Sequence, residues 1–140
     1  MSELINIKIG ITIGDINGIG PEVILKSLND NRILDRITPI IYGSDKALNH
    51  YIKTLNLDNS QPLVITSAEK AKTNHINVIN VVEKEVNISE GKEDIEAGKV
   101  AIQALERATE DISNGNIDAI VTAPISKSVC QNAGFDVPGH

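Results

Sequence analysis

Short apolar runs alternate with longer stretches of helical periodicity along the chain. The run INIKIGITI, residues 5–13, is rich in β-branched residues and reads as a buried strand. It breaks into the loop Gly14-Asp15-Ile16-Asn17-Gly18-Ile19-Gly20, after which PEVILKSLN predicts a helix from Pro21 to about Asn29, with Val23, Ile24 and Leu28 on one face. RITPIIYG gives a second strand ending at Gly43, and Ser44 and Asp45 are suited to cap a helix across KALNHYIKTL. DNSQP reads as a loop, LVIT as a short strand, SAEKA as a helical turn or loop, and INVINVV, residues 76–82, as a further strand. EKEVNISEGKED is polar and expected to be exposed. A long helix is expected from about Lys92 to Ser113, with Ile95, Ala101, Ile102, Leu105, Ala108 and Ile112 as its apolar stripe, until Asn114-Gly115-Asn116 stops it. DAIVTA, residues 118–123, reads as a short buried strand, and ISKSVCQNAGF after Pro124 as one more short helix.

Strands that alternate with helices predict an α/β fold with a mainly parallel sheet and helices on both faces. The pattern leaves strand order open. The 140 residues suffice for one domain, and no repeat, low-complexity tract or linker divides them. The core is expected to be aliphatic, since Trp is absent, Phe135 is the single Phe, and Tyr42 and Tyr51 are the two Tyr.

Charge and cysteine usage narrow the partners. The net charge is -6, with both signs interspersed, so the clustered Lys and Arg that nucleic-acid binding needs are missing. Cys130 is the single cysteine, which rules out an internal disulfide and suits a reducing, cytoplasmic setting. No basic segment followed by an apolar one opens the chain, and no apolar run is long enough to span a bilayer. The chain closes on GFDVPGH, ending at His140 after a turn-like Pro-Gly, which reads as a cut inside a segment.

The candidate chemistry sits at two strand ends. Asp15, Gly18 and Gly20 belong to a loop that leaves the carboxyl end of a strand, where open α/β sheets place ligands. Pro21 suits a first helical position and Glu22 the first turn, so backbone donors there suit a phosphate or cofactor. The spacing is neither GxGxxG nor that of a Walker loop, and a purely structural turn stands as the other reading. VTAPISKS, Val121 to Ser128, repeats the strand, proline and helix-start arrangement. Thr122, Ser126 and Ser128 supply hydroxyls there and Lys127 a cation, against a plain helix cap and a solvated lysine. His50, His75 and His140 share no metal-ligand spacing. His140 is the one candidate among them for contact with a substrate. Cys130 reads as a packing residue, and the acidic cluster SEGKEDIEAG as a solvated helix start.

ITIGDINGIGPEVILKSL resembles the G-D-P-A-G-I-G-P-E pattern of the 4-hydroxythreonine-4-phosphate dehydrogenase family of pyridoxal phosphate biosynthesis. DAIVTAPISKSVCQNAGFDVPGH resembles that family's second signature, T-A-P-(I/L)-(N/S)-K, A-G and P-G-H-T-E, and EGKEDIEAGKVAIQALERA resembles its intervening helix. The three matches occur in order and cover nearly the whole chain. The resemblance implies a fold related to isocitrate and isopropylmalate dehydrogenases, with the glycine loop, including Asp15, Gly18 and Gly20, as part of the wall of a dinucleotide cleft. Ile16 stands where the family has Pro, and Asn17 where it has Ala. Family members use NAD or NADP and a divalent metal ion. They oxidise 4-phosphohydroxy-L-threonine to a β-keto acid that loses carbon dioxide to give 3-amino-2-oxopropyl phosphate. His140 matches the substrate-contacting histidine of Pro-Gly-His, while the family's metal ligands and most of its cofactor site match nothing here and are expected beyond residue 140. The resemblance therefore implies that residues 1–140 are the N-terminal portion of a two-domain, homodimeric cytoplasmic dehydrogenase, inactive by itself. Two other readings are a sister enzyme acting on 4-phospho-D-threonate or a related phosphorylated sugar acid, and a non-catalytic binding module.

Overall fold

A computed structural model describes residues 6–57, 61–82, 87–92 and 94–123. The isoleucine-rich run forms β1 (Ile7–Thr12), and the next apolar segment forms β2 (Ile37–Gly43), paired with it in parallel from Ile7↔Ile37 to Thr12↔Tyr42. Between them run α1 (Gly20–Leu28) and the single turn α2 (Asn31–Leu34). The sequence pattern did not single out α2. Asp30 nucleates it as N-cap by accepting the Arg32 amide at 2.9 Å, a short-range signal that hydrophobic periodicity does not carry.

Helix α3 (Asp45–Leu55) starts where expected, with Ser44 as N-cap accepting the Ala47 amide at 3.3 Å. The edge strand β3 (Leu63–Val64), a 3₁₀ turn at Ala68–Lys70 and β4 (Asn77–Asn80) follow. The long helix α4 (Ile95–Ser113) leads to β5 (Ala119–Thr122). The five strands are parallel in the order β3-β4-β2-β1-β5.

That order explains the layering. From β1 the chain steps through α1 to β2, then through α3 and beyond in the same direction. From the edge strand β3 it turns back to β4, and then through α4 across β2 and β1 to β5. Uniformly right-handed crossovers then put α1 and α3 on one face and α4 on the other. Accordingly α1 packs on α3, while α4 packs on β1, β2 and β5. Alternation along β2 directs Tyr42 to the α4 side and Ile41 to the α1 side.

Two helical stripes differ from expectation. In α1 the buried residues are Pro21, Ile24, Leu25 and Leu28, and Val23 is 48% exposed because it falls on the flank of that face. In α4 the sheet covers Ala97, Val100, Ala101, Ala104, Ala108 and Asp111, whereas Ile95 and Ile112 are exposed. Alanines let the helix axis approach the sheet closely, so the small residues take the contact and the large ones are left beside it. Asp111, a charged residue in this stripe, accepts the Tyr42 hydroxyl at 2.6 Å. Burial first, then the bond to Asp111 and its charge, push the Tyr42 phenol well above the usual tyrosine range.

Tyr42→Phe removes the shortest bond to a carboxylate that retains the Asn116 amide at 3.4 Å and Arg107 at 4.0 Å. The expected cost is about 1–3 kcal/mol of unfolding free energy, read in urea as a lower midpoint at unchanged slope.

Candidate functional site

The strand order creates a switch point between β1 and β5, where one connection leaves toward β2 and the other arrives from β4. Ligands of open α/β sheets bind in such crevices at the carboxyl ends of the strands. Thr12 of β1 lies in register with Thr122 of β5, and the Ala123 amide donates to the Thr12 carbonyl at 3.2 Å. The glycine loop and the stretch that opens with VTAP therefore leave the sheet side by side, as a shared cleft requires. Of that second stretch, Val121, Thr122 and Ala123 are placed here. Ser126, Lys127, Ser128, Cys130 and His140 lie outside the described residues, as does the short helix expected after Pro124.

Local forces shape the glycine loop. Ile13 is fully buried, and its amide donates to the Tyr42 carbonyl at 3.0 Å, which continues the sheet one residue past β1. Gly14 then turns with φ 71°, a left-handed conformation that favours glycine. The Asp15 carboxylate accepts the Asn17 amide at 2.9 Å and its carbonyl accepts the Gly18 amide at 3.0 Å, so Asp15 closes the turn on both sides. The nearest atoms to a Cβ on Gly18 would be those of Asp15, at 3.4 Å or more, an ordinary contact. A Cβ on Gly20 would stand 2.8 Å from the Ile13 carbonyl oxygen and 3.2 Å from Ala123 Cβ. Gly20 thus lets α1 start against the ends of both β1 and β5. Ile19 occupies the N-cap of α1 and offers no side-chain cap, with Pro21 in the first turn, so no side chain of its own N-cap covers this positive helix end. Beside the loop, Ile11, Val23, Ile24, Val121 and Ala123 line an apolar recess that reaches Gly20.

Two further segments hold the loop from the side. Tyr51 of α3 donates its hydroxyl to the Ile16 carbonyl at 2.5 Å and is itself buried. Burial, reinforced by the negative charges of Glu90, Asp15 and Glu22, pushes its phenol up to about 12. Residues 87–92, expected from their polarity to be solvated, instead seat against Asn17. Its carboxamide oxygen accepts the Ser89 amide at 2.8 Å, and its nitrogen donates to the Lys92 carbonyl at 3.2 Å. Its backbone carbonyl accepts the Gly91 amide at 2.7 Å. His50 Nε2 lies 3.5 Å from Glu90 Oε2, across the gap between α3 and this segment. Sequence reasoning missed Asn17 and Tyr51 as site-building residues, because their partners are 72 and 35 positions away.

The other candidates are placed apart. His75 is exposed in the turn before β4, with Nδ1 2.9 Å from the Thr73 carbonyl. Within the acidic cluster, Asp94 is the N-cap of α4 and Glu96 lies in its first turn, as a solvated helix start requires. Among the described residues no group of three or more His, Cys, Asp or Glu side chains is arranged to hold a metal ion. Among those residues, also, no helix is long and apolar enough to cross a membrane.

Residues 35–140 match the sequence profile of the family described as pyridoxal phosphate biosynthetic protein PdxA. The chain is 48% identical over 134 residues to a 4-hydroxythreonine-4-phosphate dehydrogenase of Bacteroides thetaiotaomicron, covering 96% of this chain and 36% of that protein. It is 33% identical to an Oceanobacillus iheyensis protein provisionally named as a D-threonate 4-phosphate dehydrogenase, covering 94% of this chain and 40% of the relative. The crystal structure of a 4-hydroxythreonine-4-phosphate dehydrogenase from Burkholderia phymatum superposes with a TM-score of 0.88 at 31% identity, covering 97% of this chain and 42% of that one. The chain thus spans well under half the length of these relatives.

Tyr51→Phe removes the hydroxyl that holds Ile16, and the loop is expected to lose about 1–2 kcal/mol of stabilisation. The phenol titrates near 10.0 when unfolded and at about 12 in the fold, so the unfolded chain gives up its proton first. The contribution of Tyr51 is therefore intact below pH 10 and lost as pH rises toward 12. Chemical denaturation along that range should show stability falling more steeply in the wild type than in Tyr51→Phe. Parallel curves would mean that Tyr51 is not held neutral by the fold.

Proposed function

This chain belongs to the pyridoxal phosphate biosynthetic protein PdxA family, and from that we propose that it forms the N-terminal α/β portion of a dehydrogenase that oxidises 4-phosphohydroxy-L-threonine with NAD or NADP. The supporting observation is the glycine loop at the β1–β5 switch point, in a chain 48% identical to a protein named for that reaction. The dinucleotide supplies the hydride acceptor. The chain's own residues would build one wall of its cleft. Asp15 shapes the turn, Gly18 leaves backbone accessible, and Gly20 brings the positive end of α1 up to the strand ends, where a phosphate group is favoured. The apolar recess beside Gly20 offers a dry surface next to that charge. His140 of the Pro-Gly-His turn is proposed to contact the phosphorylated substrate.

A divalent metal ion would polarise the developing ketone and ease loss of carbon dioxide. The described residues do not fit that ion, since no ligand cluster forms among them. Its ligands, and the remainder of the cofactor site, are expected in the portion of the relatives' length that this chain does not span. Homodimeric assembly and a cytoplasmic location go with this reading, and the 140 residues by themselves are expected to be inactive.

The second reading, a dehydrogenase for 4-phospho-D-threonate, is favoured by the 33% identity to the Oceanobacillus protein. Steady-state assays of the full-length protein with each phosphorylated acid, NAD or NADP and a divalent cation separate the two. Turnover of 4-phosphohydroxy-L-threonine with release of carbon dioxide supports the first. Turnover confined to the threonate overturns it in favour of the second, and absence of both redox reactions overturns dehydrogenase function.

A further inference from the structure

Asn17 lies in a loop, yet it is 2% exposed and all four of its polar atoms are engaged. Its amide donates to Asp15, its carbonyl accepts from Gly91, its carboxamide oxygen accepts from Ser89, and its carboxamide nitrogen donates to Lys92. Three of these bonds go to residues 89–92, in the segment that joins β4 to α4. Of the two elements that flank this segment, β4 pairs with β2 and β3 and α4 packs on β1, β2 and β5, so the sheet ladder does not itself join the segment to the glycine loop. A buried carboxamide with each group satisfied specifies one arrangement, because any displacement leaves buried polar atoms unpaired.

We propose that Asn17 is a positioning residue: its carboxamide ties residues 89–92 to the glycine loop, so that the two segments present one fixed backbone surface to the dinucleotide. This rests on the reading of the loop as a cofactor wall. The tie acts through neighbours, since the Asn17 side chain is buried and engaged with Ser89 and Lys92. Tyr51 fixes the adjoining carbonyl of Ile16, and Glu90 meets His50 from within the tied segment. Release of the carboxamide therefore frees the loop on one side while Tyr51 still holds the other.

The test has two readouts. Amide exchange of the chain is compared for wild type, Asn17→Ala and Asn17→Asp. The Gly91 amide is the reporter, because its acceptor is the Asn17 backbone carbonyl, which both substitutions retain. In Asn17→Ala its exchange should rise by about tenfold or more, as expected for local opening of a segment that has lost two bonds. Asn17→Asp keeps the acceptor for Ser89 but sets a buried carboxylate oxygen against the Lys92 carbonyl, so it should expose Gly91 at least as much as Asn17→Ala does. In the full-length protein, Asn17→Ala should raise the KM for the dinucleotide by about fivefold with kcat within about twofold, since ground-state positioning and not the reacting atoms is altered. Unchanged Gly91 exchange in Asn17→Ala overturns the tie. Faster exchange with an unchanged KM overturns its role toward the cofactor. A wild-type enzyme that needs no dinucleotide overturns the reading of the loop instead, and the exchange data then judge the tie by themselves.

Discussion

Ile13 leaves no room for a side chain at Gly43. A Cβ built there would lie 2.6 Å from Ile13 Cγ2 and 2.7 Å from its Cβ. The same residue sets three other relations. Its amide continues the β1–β2 ladder, its carbonyl oxygen would stand 2.8 Å from a Cβ at Gly20, and its side chain is fully buried. One isoleucine at the end of β1 thus fixes where the chain leaves the sheet and where α1 begins. The candidate site is a consequence of that close packing: the helix start is brought to the strand end because glycines stand at both contact points. Larger residues at either glycine would force the backbone apart, and interiors packed at crystal-like density have little slack to absorb it.

The two faces of the sheet are built by different means. On the α1 and α3 side, branched aliphatics such as Ile13, Ile24, Leu25, Ile41 and Leu48 interlock. On the α4 side, a row of alanines brings the helix close, and a buried Tyr42–Asp111 bond fixes its rotation and height. A directional bond suits a contact surface made of small side chains, because such surfaces specify orientation poorly by shape. The consequence is an α4 whose larger apolar residues, Ile95 and Ile112, face away from the strands.

The site combines a rigid part with a tied part. Gly20 and Ile13 belong to the sheet's own packing. Residues 87–92 are held by side-chain bonds to a loop, and the Tyr51 hydroxyl bridges from α3. Such polar ties are few in number and individually modest. They are nonetheless specific, since breaking one leaves a buried polar group to find another partner.

Most of the architecture was legible in the residues. Among the described residues, periodicity located the five strands and the three longer helices to within a few positions, because burial on one or two faces imposes a repeat of about 2 or 3.6 residues on the sequence. The motifs also pointed to the glycine loop and to the family, since a turn with positive φ followed by Pro-Glu is a local feature. Local pattern did not reveal that Asn17 would seat a polar segment 72 positions away, or that Tyr51 would hold Ile16. Along α4 it placed Ala101 and Ala108 on the buried face but missed Ala97 and Ala104, and it counted Ile95 and Ile112, which are exposed. Periodicity states that a face is buried and leaves open what buries it. Strand order decides that, and strand order depends on the net packing of all the connections together. The sequence by itself therefore determined the strands and longer helices described, their parallel character and the place of the loop, and the tertiary structure alone decided which distant residues hold that loop in shape.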